Sequence, residues 1–401
     1  MVKCASLFSQ LLSLFDRGAF HKFVWDYGAE RYSKGFGCWD QFVAMLFCQL
    51  AQAKSLREIS GGLACCLGKI RHLGFNTAPS RSTLSYANAH RPWELYREMF
   101  YHLLGKCQLI SPGKKFRFRN KLLSLDATII DLCLSLFPWA RFRTTKGAVK
   151  LHLLLDHDGY LPVFADITPG KVHEINVART LNLPVGSIVV MDKAFNDYKL
   201  FAEWCRRGIW FVTRMKRNAD FRIVEHREPP KGRNIIMDNI VELTGFYSAK
   251  NCPYLLRHVV VYDPDKDEEV VLLTNHLEFG ASTISAIYKD RWEIELFFKT
   301  LKQNLKIKTF VGTSENALKI QIWTALIAIL LIKYLQFMSR RGWSTSNLIA
   351  LLRWNLFTYR NLWEWINDPF ETPPTQPPPE QLALNFRGFG QHPTYGRENL
   401  V

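Results

Sequence analysis

The stretch from Leu122 to Thr213 constrains the fold more than any other part of this chain, because its apolar runs follow one another in a definite order of length and period. Leu122 to Ile130, Val149 to Leu155 and Leu161 to Ile167 have strand length and β-rich composition, and Asp156-His157-Asp158-Gly159 is a hairpin-turn signal between the last two. His173 to Leu181 then reads as a helix, Ser187 to Met191 as a buried strand, Asn196 to Arg207 as a helix and Ile209 to Thr213 as a strand. A meander of three strands followed by helix, strand, helix, strand predicts a mixed α/β sheet. Its first and fourth strands should be parallel neighbours at the centre.

The flanking segments have different periods. Phe221 to Glu225, Asn234 to Leu243, Tyr254 to Tyr262 and Glu269 to Thr274 alternate like antiparallel strands, with turn signals at Pro229-Pro230 and Asp263-Pro264-Asp265. They form a β-rich insertion, residues 217–277, that splits the core into 113–216 and 278–345. Helical periodicity resumes at Ser282, and the segment 346–401 ends in a helical stretch and a proline-rich tail around Thr372 to Pro379. Residues 1–112 read as helical, with Trp39 to Ala51 apolar at helical spacing, a capping-box pattern at Ser55 and Glu58, and a short helix from Ser80 to Ala89 stopped by Arg91-Pro92. Two short helices joined through Gly and Pro suit either a helix-turn-helix DNA reader or a plain bundle; the DNA-binding assignment is carried forward for this domain.

Charge narrows the partner. Lys and Arg number 52 against 36 Asp and Glu, a net +16, which suggests a polyanion such as nucleic acid. The apolar run Ile322 to Ile332 falls short of the roughly 20 residues that cross a bilayer, so a buried core helix and no membrane partner are expected. The N-terminus carries no basic n-region or small-residue cleavage site. Nine scattered cysteines without a C-x-x-C pair suggest neither a zinc site nor a disulfide framework, and free thiols in a cytoplasmic protein are expected.

Two carboxylates sit where apolar side chains belong. Asp126 interrupts Leu123-Ser124-Leu125-Asp126-Ala127-Thr128-Ile129, and Asp192 ends Ile188-Val189-Val190-Met191. If their strands are parallel neighbours, the two charges emerge side by side, and a hard divalent cation is the natural way to neutralise them. Each alone also reads as a strand-end or turn residue. A third acid comes from a helix starting near Ser285, where Tyr288, Arg291, Glu295 and Lys302 are spaced three, four and seven apart and share one face with Trp292 and Lys299. Ile294, Phe297, Phe298, Leu301 and Leu305 form the opposite, apolar stripe. An ordinary amphipathic helix has such a stripe too, but an aromatic among cations around one acid suits DNA phosphates and bases near a metal.

Tyr288-x2-Arg291-x3-Glu295-x6-Lys302 resembles the signature of the YREK group of bacterial DDE transposases, the insertion-sequence-four family. Asp126-Ala127-Thr128 and Asp192-Lys193-Ala194-Phe195 are similar to its two Asp blocks, although the family more often has Gly within the second, and Phe211-Val212-Thr213-Arg214 looks like the block that follows. The resemblance covers about residues 110–345 and implies a ribonuclease H-like core holding two Mg²⁺ ions, with Mn²⁺ a substitute, between Asp126, Asp192 and Glu295. It further implies cleavage at transposon ends, attack of the 3′-hydroxyls on target DNA, and a synaptic homodimer. Double-stranded DNA, both terminal inverted repeats and target, would be the partner, with Tyr288, Arg291, Trp292, Lys299 and Lys302 binding it and the enzyme bound to the bacterial nucleoid. The alternatives are a ribonuclease H-like nuclease without strand transfer and a non-catalytic DNA-binding derivative.

Some family members cut through a hairpin, with a Trp in the insertion holding a flipped base. Residues 217–277 contain no Trp, which puts that route in doubt, and Phe246, Tyr247, Tyr254 or Tyr262 are the available rings, with Trp210 just outside. His173-Glu174 reads mainly as a helix start, Asp156 and Asp158 as turn residues, and Arg141, Arg143, Lys146 and Lys150 as a basic cluster near Asp126.

Overall fold

The structure is a computed structural model that describes residues 5–374 apart from Tyr32, Leu67, Gly68, Phe75, Lys114, Lys306 and Lys308. The proline-rich run from Thr375 to Pro379 lies outside the described residues. The N-terminal helices are α1 (Leu7–Leu12), α2 (Arg17–Asp26), α3 (Cys38–Ala51), α4 (Leu56–Ala64), α5 (Arg81–His90) and α6 (Glu94–Leu109). Local chemistry starts several of them: Ser55 accepts from the Glu58 N–H at 3.2 Å and Ser80 from the Thr83 N–H at 3.1 Å. The Glu58 carboxylate accepts from Lys54 rather than from Ser55, so the pattern at Ser55 makes only half of a capping box.

The sheet has nine strands in one continuous layer, ordered β3-β2-β1-β4-β5-β9-β8-β7-β6. Its first half comprises β1 (Leu122–Leu132), β2 (Gly147–Asp156), β3 (Leu161–Pro169), then α7 (Glu174–Thr180), β4 (Ile188–Met191), α8 (Tyr198–Arg206) and β5 (Trp210–Arg214). β1 to β3 are antiparallel, while β4 runs parallel to β1 and β5 parallel to β4. This is the ribonuclease H-like order, reached from the run order in the sequence. The insertion contributes β6 (Phe221–Arg227), β7 (Ile235–Leu243), the short α9 (Phe246–Asn251), β8 (Leu256–Asp263) and β9 (Glu268–Thr274). β9 pairs antiparallel with β5, so the insertion extends the core sheet. Within it Arg257 grips Asp238 through two charge-assisted bonds, Nε–Oδ1 2.7 Å and Nη2–Oδ2 2.6 Å, with both side chains about 5% exposed or less.

The chain then returns across the sheet as α10 (Ala281–Asp290) and α11 (Trp292–Asn304), followed by α12 (Glu315–Met338), α13 (Thr345–Asn355) and α14 (Leu362–Asn367). α7 and α8 cover one face of the parallel strands, burying Leu123, Leu125, Val189, Met191 and Phe211, and α10 covers the other, burying Leu122, Ile188, Val190 and Val212. The apolar run around Ile322 is the middle of a helix of 24 residues, longer than its uninterrupted apolar stretch because Thr324, Gln321 and Tyr334 continue the helical path. By length and composition α12 would cross a bilayer, but 83% of its apolar window is buried inside the protein. Its packing partners are α3 and α6, with Gln49 Nε2 donating to the Gln321 carbonyl at 3.2 Å and Cys107 Sγ to that of Leu330 at 3.5 Å. Helices from residues 1–112 therefore share one hydrophobic core with α11 to α14 and the far ends of β1 to β3.

Candidate active site

Strand parity decides which side chains meet. The even-numbered residues of β1 face α10 and α11, and each finds a different partner along that path. Leu122 packs against α10, Ser124 meets a buried histidine, Asp126 falls opposite the start of α11, and Thr128 Oγ1 accepts from Lys302 Nζ at 2.5 Å. The parallel register pairs Leu125 with Met191 and Val190 with Val212. Continuing that register one residue beyond Leu125 and Met191, and two beyond Val190 and Val212, brings Asp126, Asp192 and Arg214 into one row, just past the point where β4 leaves the ladder and turns at Lys193–Phe195. Asp192 caps that turn by accepting from the Lys193 N–H at 2.7 Å.

α11 brings Glu295 over the same row. Glu295 accepts from Arg291 Nη2 at 2.7 Å, and the Arg291 guanidinium lies 5.5 Å from the centre of the Tyr288 ring. Arg214 approaches the same ring at 5.9 Å. The sequence places Tyr288, Arg291, Glu295 and Lys302 on one uninterrupted helix; in the structure the helix breaks at Arg291, between α10 and α11. At the break the Arg291 N–H bonds back only as far as Tyr288, and the Ile294 N–H only to Arg291. Trp292 opens α11 with 54% of its surface exposed, and Lys299 is exposed one turn beyond Glu295. Asp126, Thr128, Glu295, Lys299 and Lys302 line a groove of about 440 Å³ between β1 and α11. A larger cleft of about 570 Å³ between α6, β3 and α12 contains none of these acids.

Burial pushes the Asp126 carboxyl up to about 6, helped by the charges of Glu295 and Asp192 and opposed by the Ala127 N–H and Arg291. Burial works against the charge of Arg291, but Tyr288, Glu295 and Asp126 outweigh it and hold the guanidinium's pKa above its ordinary value. Among the described residues no three His, Cys, Asp or Glu side chains converge tightly enough to hold an ion as they stand. The donors nevertheless fit a divalent cation in kind: hard carboxylate oxygens, mutually repelling, with Arg291 supplying the positive charge they lack.

The raised pKa carries a stability consequence. The Asp126 proton is held more tightly in the fold than at the ordinary value of 3.8, so its contribution favours folding below pH 3.8 and is lost as pH rises through about 6. Asp126→Asn removes that loss and keeps the bond to Ala127. The metal-free variant should therefore be more stable than the parent by about 1–2 kcal/mol at pH 8, allowing for partial solvent screening, and equal to it near pH 3.5. Urea unfolding at the two pH values measures this, and an equal or lower stability of the variant at pH 8 would remove the electrostatic account of Asp126.

Other residues singled out in the sequence have plainer roles. Glu174 starts α7 and pairs with Lys150 at 2.7 Å, so Lys150 is buried and separate from exposed Arg141, Arg143 and Lys146. Asp156 accepts from the Asp158 N–H at 3.0 Å and pairs with Lys121 at 2.7 Å, as a turn residue does. In the insertion, Phe246 and Tyr247 on α9 are 91% and 63% exposed, whereas Trp210 packs on His276 with ring centres 4.7 Å apart. Arg214 and Thr128 stand in the sequence blocks quoted above without a role of their own; strand register puts Arg214 in the row of the two aspartates, and Thr128 lies two residues beyond Asp126 on the same face of β1.

A ribonuclease H-like sheet whose central parallel strands deliver carboxylates to one edge defines a nucleic-acid-processing enzyme core. The chain matches the family model described as the transposase DDE domain over residues 117–331, and a second one, a domain of unknown function (DUF4372), over residues 3–76. It is 32% identical over 260 residues to the transposase y4zB of Sinorhizobium fredii, covering 64% of this chain and 71% of that one. It is 26% identical over 268 residues to the transposase for insertion sequence element IS5377 of Geobacillus stearothermophilus, covering 66% and 70%. The transposase for element IS4SA of Synechocystis is also 26% identical, over 271 residues, covering 65% and 73%. The chain belongs to the DDE transposase family: its activity is that of a nuclease and strand transferase acting on DNA, with divalent metal.

Proposed function

We propose that this chain cuts DNA at the terminal inverted repeats of its own element and joins the freed 3′ ends to target DNA, with Asp126, Asp192 and Glu295 as the metal-holding carboxylates. The observation that carries this reading is the register between β1 and β4, which leads two aspartates out side by side beneath Glu295. Asp126, Asp192 and Glu295 would hold two Mg²⁺ ions, or Mn²⁺ in their stead, which would supply activation of the attacking hydroxyl and charge stabilisation at the leaving oxygen. The chain's own residues bind and orient the DNA. Lys302 spans from α11 to Thr128 and the Ile129 carbonyl, and exposed Lys299 lines the same groove. Trp292 offers an exposed ring for a base at the DNA end, and Tyr288 and Arg291 complete the surface for the phosphates next to the cut.

In this reading the helices of residues 1–112 read the terminal repeat, 113–216 with 278–345 carry the chemistry, 217–277 extend it, and 346–401 follow as a helical segment and tail. Two protomers form a synaptic homodimer that holds both ends, in the cytoplasm on the nucleoid. The test incubates the protein with Mg²⁺, a labelled duplex carrying the inverted repeat, and a target plasmid. A cleaved end and a joined product are expected. Cleavage without joining would mark a plain nuclease, and binding without cleavage in either Mg²⁺ or Mn²⁺ would overturn the proposal in favour of a DNA-binding derivative.

Lys299 allows a separate check. If it neutralises one phosphate, Lys299→Ala lowers the slope of log Kd against log salt by about 1, read by fluorescence anisotropy over a salt series. An unchanged slope would take Lys299 off the DNA path.

A further inference from the structure

A second polar cluster joins β1 to the end of α10, with its Ser124, His157 and Asp290 buried. Ser124 Oγ is 2.7 Å from His157 Nε2, and His157 Nδ1 donates to Asp290 Oδ2 at 2.5 Å. The carboxylate fixes the proton on Nδ1, which in the neutral ring leaves Nε2 to accept from the serine hydroxyl. Asp290 also accepts from Lys115 and, at 3.3 Å, from the Tyr160 hydroxyl. Burial alone would raise the Asp290 pKa, but the bonds from His157 and Lys115 outweigh it and hold the carboxyl below its ordinary value. Serine, histidine and aspartate in this order resemble a hydrolase triad. With Ser124 0%, His157 4% and Asp290 7% exposed, however, no substrate carbonyl reaches the hydroxyl.

The turn that delivers this cluster is strained. Gly159 has φ +82° and Tyr160, a bulky residue, φ +53°. A Cβ on Gly159 would stand 2.5 Å from Ser111 Oγ. For a bulky residue such as Tyr160, backbone of this kind persists where its surroundings over-determine it. Here it throws both His157 and Tyr160 inward onto Asp290, and Lys333 from α12 lies 5.8 Å from the Tyr160 ring on another side. Asp290 is the last residue of α10, immediately before the break at Arg291. At Arg291 the backbone stays helical (φ −51°, ψ −31°) but its ladder is reduced to three-residue bonds, so the junction of α10 and α11 is held less firmly by its own hydrogen bonds and gains from a contact outside the helix.

We propose that the Ser124–His157–Asp290 array, held by Lys115 and Tyr160, is a positioning device that clamps the α10–α11 elbow to β1 and thereby sets where Glu295 stands relative to Asp126. The proposal rests on the reading of those acids as the metal-holding set. Ser124 lies two residues before Asp126 on the same face of β1, and Asp290 lies five residues before Glu295. The array thus joins the two elements at one point, and Lys302 with Thr128 joins them again on the far side of the acids.

The test compares the full-length parent with His157→Gln, Tyr160→Phe and Ser124→Ala. Mn²⁺ binding is measured by electron paramagnetic resonance on metal-free protein, alongside kcat and KM for end cleavage and the thermal midpoint. The expected result for His157→Gln is about tenfold weaker Mn²⁺ binding and a lower kcat, with KM for the DNA end unchanged. Tyr160→Phe and Ser124→Ala should shift Mn²⁺ binding in the same direction and less far, and they decide the matter if His157→Gln does not fold. Unchanged Mn²⁺ binding in folded variants, or losses that vanish on cooling in step with a lowered midpoint, would overturn the positioning role. Glu295→Gln and Asp126→Asn separate the two claims. If neither weakens Mn²⁺ binding, the site reading fails; if both do while the array variants do not, the positioning role alone fails.

Discussion

Asp126→Asn, Asp192→Asn and Glu295→Gln are each expected to lower end cleavage and strand joining by about 10³-fold or more, with affinity for the DNA end retained. Each substitution keeps the shape of the side chain and removes its charge. Stabilisation of the developing charge at a two-metal centre is worth several kcal/mol, and each 1.4 kcal/mol converts to a tenfold change in rate. The three losses should not multiply, because the carboxylates act as one set. Glu295→Gln also releases Arg291 from its 2.7 Å pairing, so this variant alone should leave an additional unpaired cation in the groove. Gel-resolved cleavage of a labelled end gives the rates and anisotropy gives the affinity. Cleavage within tenfold of the parent in Glu295→Gln would sink the assignment of that residue.

Asp238→Ala is expected to destabilise the protein by about 3 kcal/mol or more, among the largest single-site effects in the chain, although it lies in the insertion far from the acids in sequence. Arg257 and Asp238 are about 5% exposed or less, and Arg257 further donates to the Leu277 carbonyl at 3.2 Å and to that of Phe279. Removing the aspartate strands a buried guanidinium, which costs far more than the pair contributes when intact. Replacing both partners together with apolar residues should therefore recover part of the loss, with the Leu277 and Phe279 carbonyls setting the remainder. Chemical denaturation reads both effects. A change below about 1 kcal/mol for Asp238→Ala would mean that water reaches Arg257 in solution.

The core strands were legible because each is a largely apolar run of strand length bounded by polar turns, with β2 and β4 buried along their whole length. The insertion was legible from its strand-length runs and turn signals, although its strands do not alternate in burial: β8 buries Leu256 to Val260 in succession and β6 is mostly exposed. The two aspartates stood out as charges with no apolar reason for their positions, and Glu295 through helical spacing. What the sequence hid is contact between distant elements. His157 sits in an Asp-Gly turn pattern that predicts exposure, yet the strained backbone at Gly159 and Tyr160 turns it inward. Arg214 reads as the polar end of a strand until strand order puts it in line with Asp126 and Asp192. The break at Arg291 is invisible to helical periodicity, because its backbone stays helical and the three-, four- and seven-residue spacings are unaffected by the change in hydrogen bonding.

The burial of α12 bears on how such a protein tolerates being shortened. Its apolar surface is wrapped by α3 and α6 from the first quarter of the chain, so removing those helices would not release a compact catalytic fragment. It would uncover a 24-residue apolar rod able by length and composition to enter a bilayer or stick to copies of itself. During synthesis the same geometry delays maturation, because the early helices must wait for residues beyond Glu315 before their shared interior can close.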